Sequence, residues 1–209
     1  KAGNGRGSSD NQLNRPEDIV FSPSGIYVAD TGNDRILKFN SSFILVGKWG
    51  SKGTGDGQFI HPHAIDVDSK GNVYVGQLNE PGVQVFDSNG KFLKRWGSIG
   101  TGDGQSSIPQ EHLAIDSKDR VYIVDGASNP RVQIFDTNGK FLGKIGTPCK
   151  MSSGEGCTDP DGPGPLKMGD GQFSKPEHVS IDSDGNVFVV DRGNQRVQVF
   201  APIINESSK

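Results

Sequence analysis

The chain has 209 residues, the size of one ordinary domain. It holds 30 Gly, and its 17 Val and 15 Ile far outnumber its six Ala and eight Leu. Residues branched at Cβ favour strands over helices, so this composition excludes a helical bundle. No apolar run is long enough for a transmembrane helix. A net charge of −3 argues against a nucleic-acid binder, which would normally be basic.

The chain repeats itself four times. The string Gly-Asp-Gly-Gln occurs at 55–58, 102–105 and 169–172, with a looser copy near the start of the chain. A proline follows each copy, in steps of 46, 47 and 67 residues, at Pro16, Pro62, Pro109 and Pro176. The last step contains an insertion at about 148–168. A period in the forties with short strands in each unit is typical of a propeller blade.

Each repeat carries a series of short apolar runs separated by Gly and Asn, which favour tight hairpins. The sequence therefore predicts an all-β protein, a β-propeller of four-stranded antiparallel blades. The propeller segment spans 1–204, and a tail follows at 205–209. The predicted blades lie at about 13–50, 59–97, 108–146 and 173–200. The fourth strand is recognisable in three repeats only.

The strings Asp30-Thr-Gly-Asn-Asp-Arg35 and Asp191-Arg-Gly-Asn-Gln-Arg196 resemble the NHL repeat. This resemblance implies a wheel that most often has six blades, of which four repeats are present here. We therefore expect part of a six-bladed wheel, completed by a protein partner or by other copies of the chain. A closed four-bladed ring is the alternative.

Two repeated features favour a structural role. Acidic and basic residues recur around the second turn of each blade, and we expect them to pair within a blade: Asp30 with Arg35, Asp125 with Arg131, and Asp191 with Arg196. Repeat two lacks both partners and is predicted to carry Gly76 and Val83 in their places. Trp49 and Trp96 are predicted to pack between blades.

The insertion contains the only two cysteines, Cys149 and Cys157. Their confinement to one loop favours a disulfide, which predicts an extracellular or cell-surface protein; two unpaired thiols are the alternative. The same region offers candidate calcium ligands at Asp159, Asp161 and Asp170, or else a proline-stiffened loop. Asparagines in glycosylation sequons, Asn40 and Asn205, agree with export.

All four histidines lie within three residues of a repeat proline, where the innermost strand of each blade begins. Alternation along a strand divides the polar residues of this channel mouth into two sets. The first position after the proline holds Glu17, His63, Glu111 and Glu177. The second holds Asp18, Ala64, His112 and His178, so His63 is predicted to face away from the other two histidines. The first set would suit a hard cation; a water-filled mouth without an ion is the alternative.

The segments 62–68 and 191–194 are similar to peptidyl-α-hydroxyglycine α-amidating lyase, an NHL-type propeller that holds zinc. This similarity implies a zinc-ligand position at His63 and a catalytic-arginine position at Arg192. Carboxylates stand where further histidine ligands would be needed, and no cofactor is assigned; Ca²⁺ and Zn²⁺ are the candidates. The favoured function is a non-catalytic exported module that binds proteins or ligands, or assembles. A metal-dependent lyase and an RNA-binding propeller are the second and third hypotheses.

Overall fold

The computed structural model describes residues 5–10, 12–78, 80, 82–106, 110–126, 129–148 and 171–202. Within these residues four antiparallel sheets follow one another in chain order, with their strands in sequential order. The innermost strands of successive sheets contact each other, so the sheets are the blades of a propeller. The all-β prediction and the blade architecture are confirmed.

Blades 1 and 2 each have four strands. Blade 1 consists of β1 (Pro16–Ser22), β2 (Gly25–Asp30), β3 (Arg35–Phe39) and β4 (Leu45–Trp49), with a single-turn 3-10 helix at Thr31–Asn33 between β2 and β3. Blade 2 consists of β5 (Pro62–Val67), β6 (Val73–Gln77), β7 (Val83–Phe86) and β8 (Phe92–Trp96).

Blade 3 again has four strands, and blade 4 has three in the part of the chain that is described. A short parallel pair, β9 (Ser98–Ile99) with β10 (Gln105–Ser106), leads into blade 3. Blade 3 consists of β11 (Gln110–Ile115), β12 (Val121–Asp125), β13 (Arg131–Phe135) and β14 (Phe141–Ile145). A second parallel pair, β15 (Thr147–Pro148) with β16 (Gln172–Phe173), precedes blade 4. Blade 4 consists of β17 (Pro176–Ile181), β18 (Val187–Asp191) and β19 (Arg196–Phe200), with a 3-10 helix at Arg192–Asn194.

The core lies between the blades. Alternate residues of each middle strand face opposite neighbours, so Tyr27 and Ala29 of blade 1 pack with Val73 and Val75 of blade 2. Equivalent apolar layers join blade 2 to blade 3 and blade 3 to blade 4. In blade 1 the face opposite blade 2 also holds a buried cluster, against which Leu13 and Leu45 pack: Ile26, Val28, Leu37 and Phe39.

The tryptophans pack between blades, as predicted. The ring of Trp49 lies 6.0 Å from that of Tyr27 in its own blade and 5.9 Å from that of Phe86 in blade 2. Gly90, in the Asn-Gly turn of blade 2, covers the same indole with φ at 83°. A Cβ at this glycine would lie 2.6 Å from the Trp49 ring, so the close approach as well as the turn requires glycine.

The predicted Asp–Arg pairs form inside blades 1, 3 and 4, with distances between the Arg Nε and the Asp Oδ2 of 2.7, 3.0 and 3.4 Å. The prediction for blade 2 was wrong by one residue at each position. Pairing with Pro62 places Gln77, not Gly76, where the other blades have Asp. Gly76 pairs with Val83 as Ala29 pairs with Ile36 in blade 1. Gly82, which precedes Val83, therefore holds the position that Arg35 holds in blade 1. Without Asp or Arg as markers, only the hydrogen-bond register reveals the equivalence.

Gln77 performs the backbone role of the aspartate. Its Oε1 accepts the N–H of Ile60 at 2.7 Å, as Asp30 Oδ1 accepts the N–H of Asn14 at 2.7 Å in blade 1. In both blades the side chain therefore ties the incoming loop to the end of the second strand.

Apolar side chains are exposed on the two outer faces of this four-blade arc. The blade-1 end face consists of Ile19, Phe21 and Phe43, exposed by 47%, 65% and 39%. The blade-4 end face consists of Val190, Val197 and Val199, exposed by 38%, 58% and 58%. These faces correspond to surfaces that are buried between neighbouring blades elsewhere in the chain.

Candidate functional site

The innermost strands carry the same irregularity in all four blades. The pairing of each first strand with its second strand skips one residue, which forms a β-bulge. The skipped residues are Glu17, His63, Glu111 and Glu177. Bulges re-aim a side chain at the end of a strand and are common beside active sites. Gln110 pairs with Asp125 as Pro62 pairs with Gln77, so repeat three does contain one extra residue before Glu111.

These four bulge residues are the first of the two predicted polar sets. His63 Nδ1 lies 2.7 Å from the backbone oxygen of Glu111, so this histidine joins blades 2 and 3. Burial raises the pKa of Glu111, and the nearby charge of Glu177 raises it further. Glu177 itself pairs with Arg192 at 2.7 Å and lies 3.6 Å from Lys175. Basic residues therefore offset part of the acidic charge at this mouth.

The second predicted set meets around the axis. His112 and His178 stack with ring centroids 3.7 Å apart, and His112 Nε2 lies 3.5 Å from Asp18 Oδ2. Burial lowers the pKa of His178, and the neighbouring His112 lowers it further. His63 lies at a bulge and contacts the Glu111 backbone, whereas His112 and His178 contact each other; the separation of their faces stays a prediction.

A groove of about 210 Å³ runs along the innermost strands of all four blades. Its polar lining consists of Asp18, Asp66, His112, His178 and Ser180, and its other walls are aliphatic. We call it the axial groove. Sequence reasoning missed Asp66 and Ser180. Both follow a second-position residue by two, so strand alternation alone could have placed them on the same side.

The two aspartates of the axial groove also fasten neighbouring blades. Asp18 Oδ2 accepts the N–H of Ile65 in blade 2 at 2.8 Å, and Asp66 Oδ2 accepts the N–H of Ile115 in blade 3 at 2.6 Å. Innermost strands have one unpaired edge, so these carboxylates satisfy backbone donors that no strand reaches. Burial raises the pKa of Asp66 to about 6, and the charge of Asp18 contributes to the rise.

The remaining predicted site residues are accounted for separately. Asn40 lies half-buried in the turn after β3, where its Oδ1 accepts the N–H groups of Ser42 and Ile44, both at 3.0 Å. The disulfide, calcium and second sequon predictions lie outside the described residues, at Cys149, Cys157, Asp159, Asp161, Asp170 and Asn205. Among the residues that are described, no three His, Cys, Asp or Glu side chains form a group that could hold a metal ion. No helix in the same part of the chain is long and apolar enough to cross a membrane.

Comparison with solved structures shows which proteins share this architecture. Hydrazine synthase of Kuenenia stuttgartiensis is 14% identical, with a TM-score of 0.57 over 93% of this chain and 51% of its own. A streptogramin B lyase is 11% identical, with a TM-score of 0.57 over 92% and 56%. Virginiamycin B lyase from Staphylococcus aureus is 10% identical, with a TM-score of 0.56 over 92% and 57%. The chain thus spans little more than half the length of these propellers. Sequence identities this low show a shared fold and nothing further.

A family model, the NHL repeat, matches residues 173–200, which form the core of blade 4. This stretch contains the Asp191–Arg196 pair and the bulge at Glu177. Blades 1 and 3 reproduce both features, and blade 2 reproduces the bulge. The features of the matched unit recur along the arc, so the chain is a β-propeller whose fourth blade matches the NHL repeat.

Proposed function

We propose that this chain is a non-catalytic binding and assembly module whose end blades receive further blades of a wheel. The observation that carries the proposal is the exposure of apolar surface on both end faces. Val190 and Val197 pair with each other as Ala29 pairs with Ile36 in blade 1, where those residues are buried against blade 2. The blade-4 end face therefore offers the surface with which each blade covers the next one.

The blade-1 end face offers the complementary surface. Ile19 holds the strand position of Ile65, which is buried between blades 1 and 2, and of Val179, which is buried between blades 3 and 4. Soluble proteins seldom expose contiguous apolar surface unless something binds it. The partner that we propose is a protein that covers these two faces with further blades, either another chain or further copies of this one.

Self-association tests this proposal, since each copy carries both complementary faces. We expect sedimentation velocity to show association that rises with concentration. Val197→Asp and Phe21→Asp should each weaken it at least tenfold, because each buries an unpaired carboxylate in the contact. Leu142→Asp, at an exposed position on β14 away from both end faces, is the control.

Mixing the two variants sharpens this test. Val197→Asp keeps an intact blade-1 end face, and Phe21→Asp keeps an intact blade-4 end face. If blade 4 of one copy contacts blade 1 of another, the two variants should associate when mixed, although neither associates alone. A wild-type chain that remains monomeric throughout the concentration range would contradict assembly from copies of this chain. So would association that persists in either single variant.

A second candidate function is a metal-dependent lyase of the amidating type, and the orientation of His63 favours it. Metal-binding histidines usually place their second ring nitrogen against a carbonyl or carboxylate, and His63 Nδ1 lies against the Glu111 carbonyl. This arrangement directs Nε2 away from that contact. Stoichiometric zinc in the purified protein, lost in His63→Ala, would support this candidate; absence of bound zinc would refute it. RNA binding remains the third hypothesis, and the net charge of −3 disfavours it.

We also propose that the protein is exported and acts outside the cell or at its surface. Support comes from the two cysteines of the insertion and the two sequons, of which Asn40 lies in a turn. We expect the peptide linking Cys149 to Cys157 to appear in unreduced digests about two mass units lighter than after reduction. Alkylation of both thiols without prior reduction would contradict the disulfide and remove the main support for export.

A further inference from the structure

We propose that the axial groove binds a small organic cation, with a guanidinium or ammonium head and a short alkyl chain. The binding residues are the carboxylates of Asp18 and Asp66, with the His178 ring beside them. This inference extends the proposed binding role to a second site, distinct from the end faces. It stands on the shape, the charge and the hydrogen-bonding state of the groove.

Charge selects a cation. The titratable groups that line the groove are two aspartates and two histidines, contributed by all four blades: Asp18, Asp66, His112 and His178. Carboxylates as a class carry negative charge at neutral pH. Among the described residues, no Lys or Arg side chain lines the groove to offset them. Arg192 and Lys175 pair instead with Glu177 of the bulge set.

The Asp66 carboxylate keeps acceptor capacity. Each oxygen of Asp66 accepts one backbone N–H, from Val67 at 2.7 Å and from Ile115 at 2.6 Å. A carboxylate oxygen has two acceptor sites, so each can accept a further hydrogen bond from a ligand. These backbone bonds also hold the carboxyl group in place, which reduces the entropy lost on binding.

Histidine packing adds a surface for a flat head group. His112 packs against His178 with the ring planes tilted by 37°, and His112 Nδ1 is a buried atom without a hydrogen-bond partner among the described residues. His178 is exposed. Planar guanidinium groups stack on aromatic rings as well as pairing with carboxylates, which a spherical metal ion does not do. The polar lining therefore fits an organic cation better than a coordinated metal.

The aliphatic walls define the rest of the ligand. Ile65, Leu113, Ile115 and Ile181 line the groove between the polar groups, and its volume of about 210 Å³ is small for a binding pocket. An alkyl chain of a few carbons fills such a space with apolar contact. Larger aromatic or peptide ligands would not be enclosed.

We would titrate the protein with butylguanidinium and follow the ring protons of His112 and His178 in NMR spectra. We expect saturable shifts with butylguanidinium and butylammonium, and none with butyrate. Protonation of Asp66 near its pKa of about 6 removes one negative charge, and protonation of His178 adds a positive one. Binding should therefore be roughly tenfold weaker in mildly acidic buffer than at slightly basic pH.

A linkage measurement on the wild-type protein avoids dependence on any variant. Saturating butylguanidinium should lower the pKa of Asp66, read from its carboxyl carbon shift, by roughly one unit. Asp66→Asn should abolish most of the binding, while Asp87→Asn in the turn between β7 and β8 should leave it unchanged. An unchanged Asp66 pKa, or equal binding of butyrate, would overturn the proposal.

The two proposals fail separately. Val197→Asp lies outside the groove, so it should reduce association and retain butylguanidinium binding. Asp66→Asn should do the reverse. A chain that associates as expected but ignores the probe would overturn the groove proposal alone. A monomeric chain that binds the probe would overturn self-assembly alone.

Discussion

Phe86→Ala is expected to lower the free energy of unfolding by about 3–5 kcal/mol, the cost of deleting a large buried aromatic side chain. Phe86 is fully buried between blades 1 and 2. Its ring lies 5.9 Å from Trp49, 5.6 Å from Phe59 and 5.9 Å from Phe92. Because these neighbours belong to two blades and an entering loop, they cannot all move to fill the cavity. Chemical denaturation followed by tryptophan fluorescence measures the loss.

A control in the same blade separates burial from a general effect of truncation. Leu93 lies on β8 and is 45% exposed, so Leu93→Ala should change the free energy of unfolding by less than about 0.5 kcal/mol. Phe86→Leu, which keeps much of the volume, should fall between the two. A Phe86→Ala protein as stable as Leu93→Ala would show that the blade 1–blade 2 layer does not hold the arc together.

Arg131→Ala is expected to cost about 3–5 kcal/mol, since it leaves a buried carboxylate without its cation. The Arg131 side chain is 4% exposed, and its Nε lies 3.0 Å from Asp125 Oδ2. Its Nη2 also donates to the backbone oxygens of Gly102 at 2.8 Å and Gln105 at 2.6 Å. The arginine thus binds the loop that enters blade 3 as well as the end of β12. Thermal and denaturant unfolding both report the change.

The pH dependence gives this prediction a second readout. Burial raises the pKa of Asp125 to about 6, above its unfolded value, so the charged form is the costly one in the folded state. Removing Arg131 raises that pKa further. The destabilisation should therefore be greatest above pH 6 and smaller in mildly acidic buffer. Adding Asp125→Asn should restore part of the loss.

Lys144 provides the matched control for the ion pair. It pairs with Asp103 at 2.7 Å, and both side chains are about half exposed. Exposed pairs of this kind contribute little, so Lys144→Ala should cost less than about 1 kcal/mol. Equal losses in Arg131→Ala and Lys144→Ala would contradict the view that the Asp–Arg pair is the structural centre of the blade.

The channel-mouth residues show how far strand alternation reaches. Alternation predicts that His63 lies on a different face from His112 and His178, because side-chain direction along a strand is a local property. It did not reveal the bulge that isolates His63 from the ladder, since a bulge depends on how two strands pair. The stacking of His112 on His178 depends further on the distance between two blades.

Blade 2 shows a different limit. Gln77 replaces an aspartate and accepts an equivalent backbone hydrogen bond, from Ile60. Nothing in the residue types marks this equivalence, because Gln77 and Gly82 resemble neither Asp nor Arg. In blade 2 the amide oxygen of a longer side chain accepts the hydrogen bond that an aspartate accepts elsewhere, and only the register of β5 with β6 identifies this equivalence.

The sequence by itself determined the repeated blade, its strands and its turns, because apolar alternation and Gly- or Asn-rich turns act over a few neighbouring residues. Only the tertiary structure decided which polar residues share the axial groove and which apolar faces lie open. Asp18 reaches a backbone donor 47 residues away, and Asp66 one 49 residues away. Contacts of that span depend on how one blade sits against the next, a geometry that no local pattern encodes.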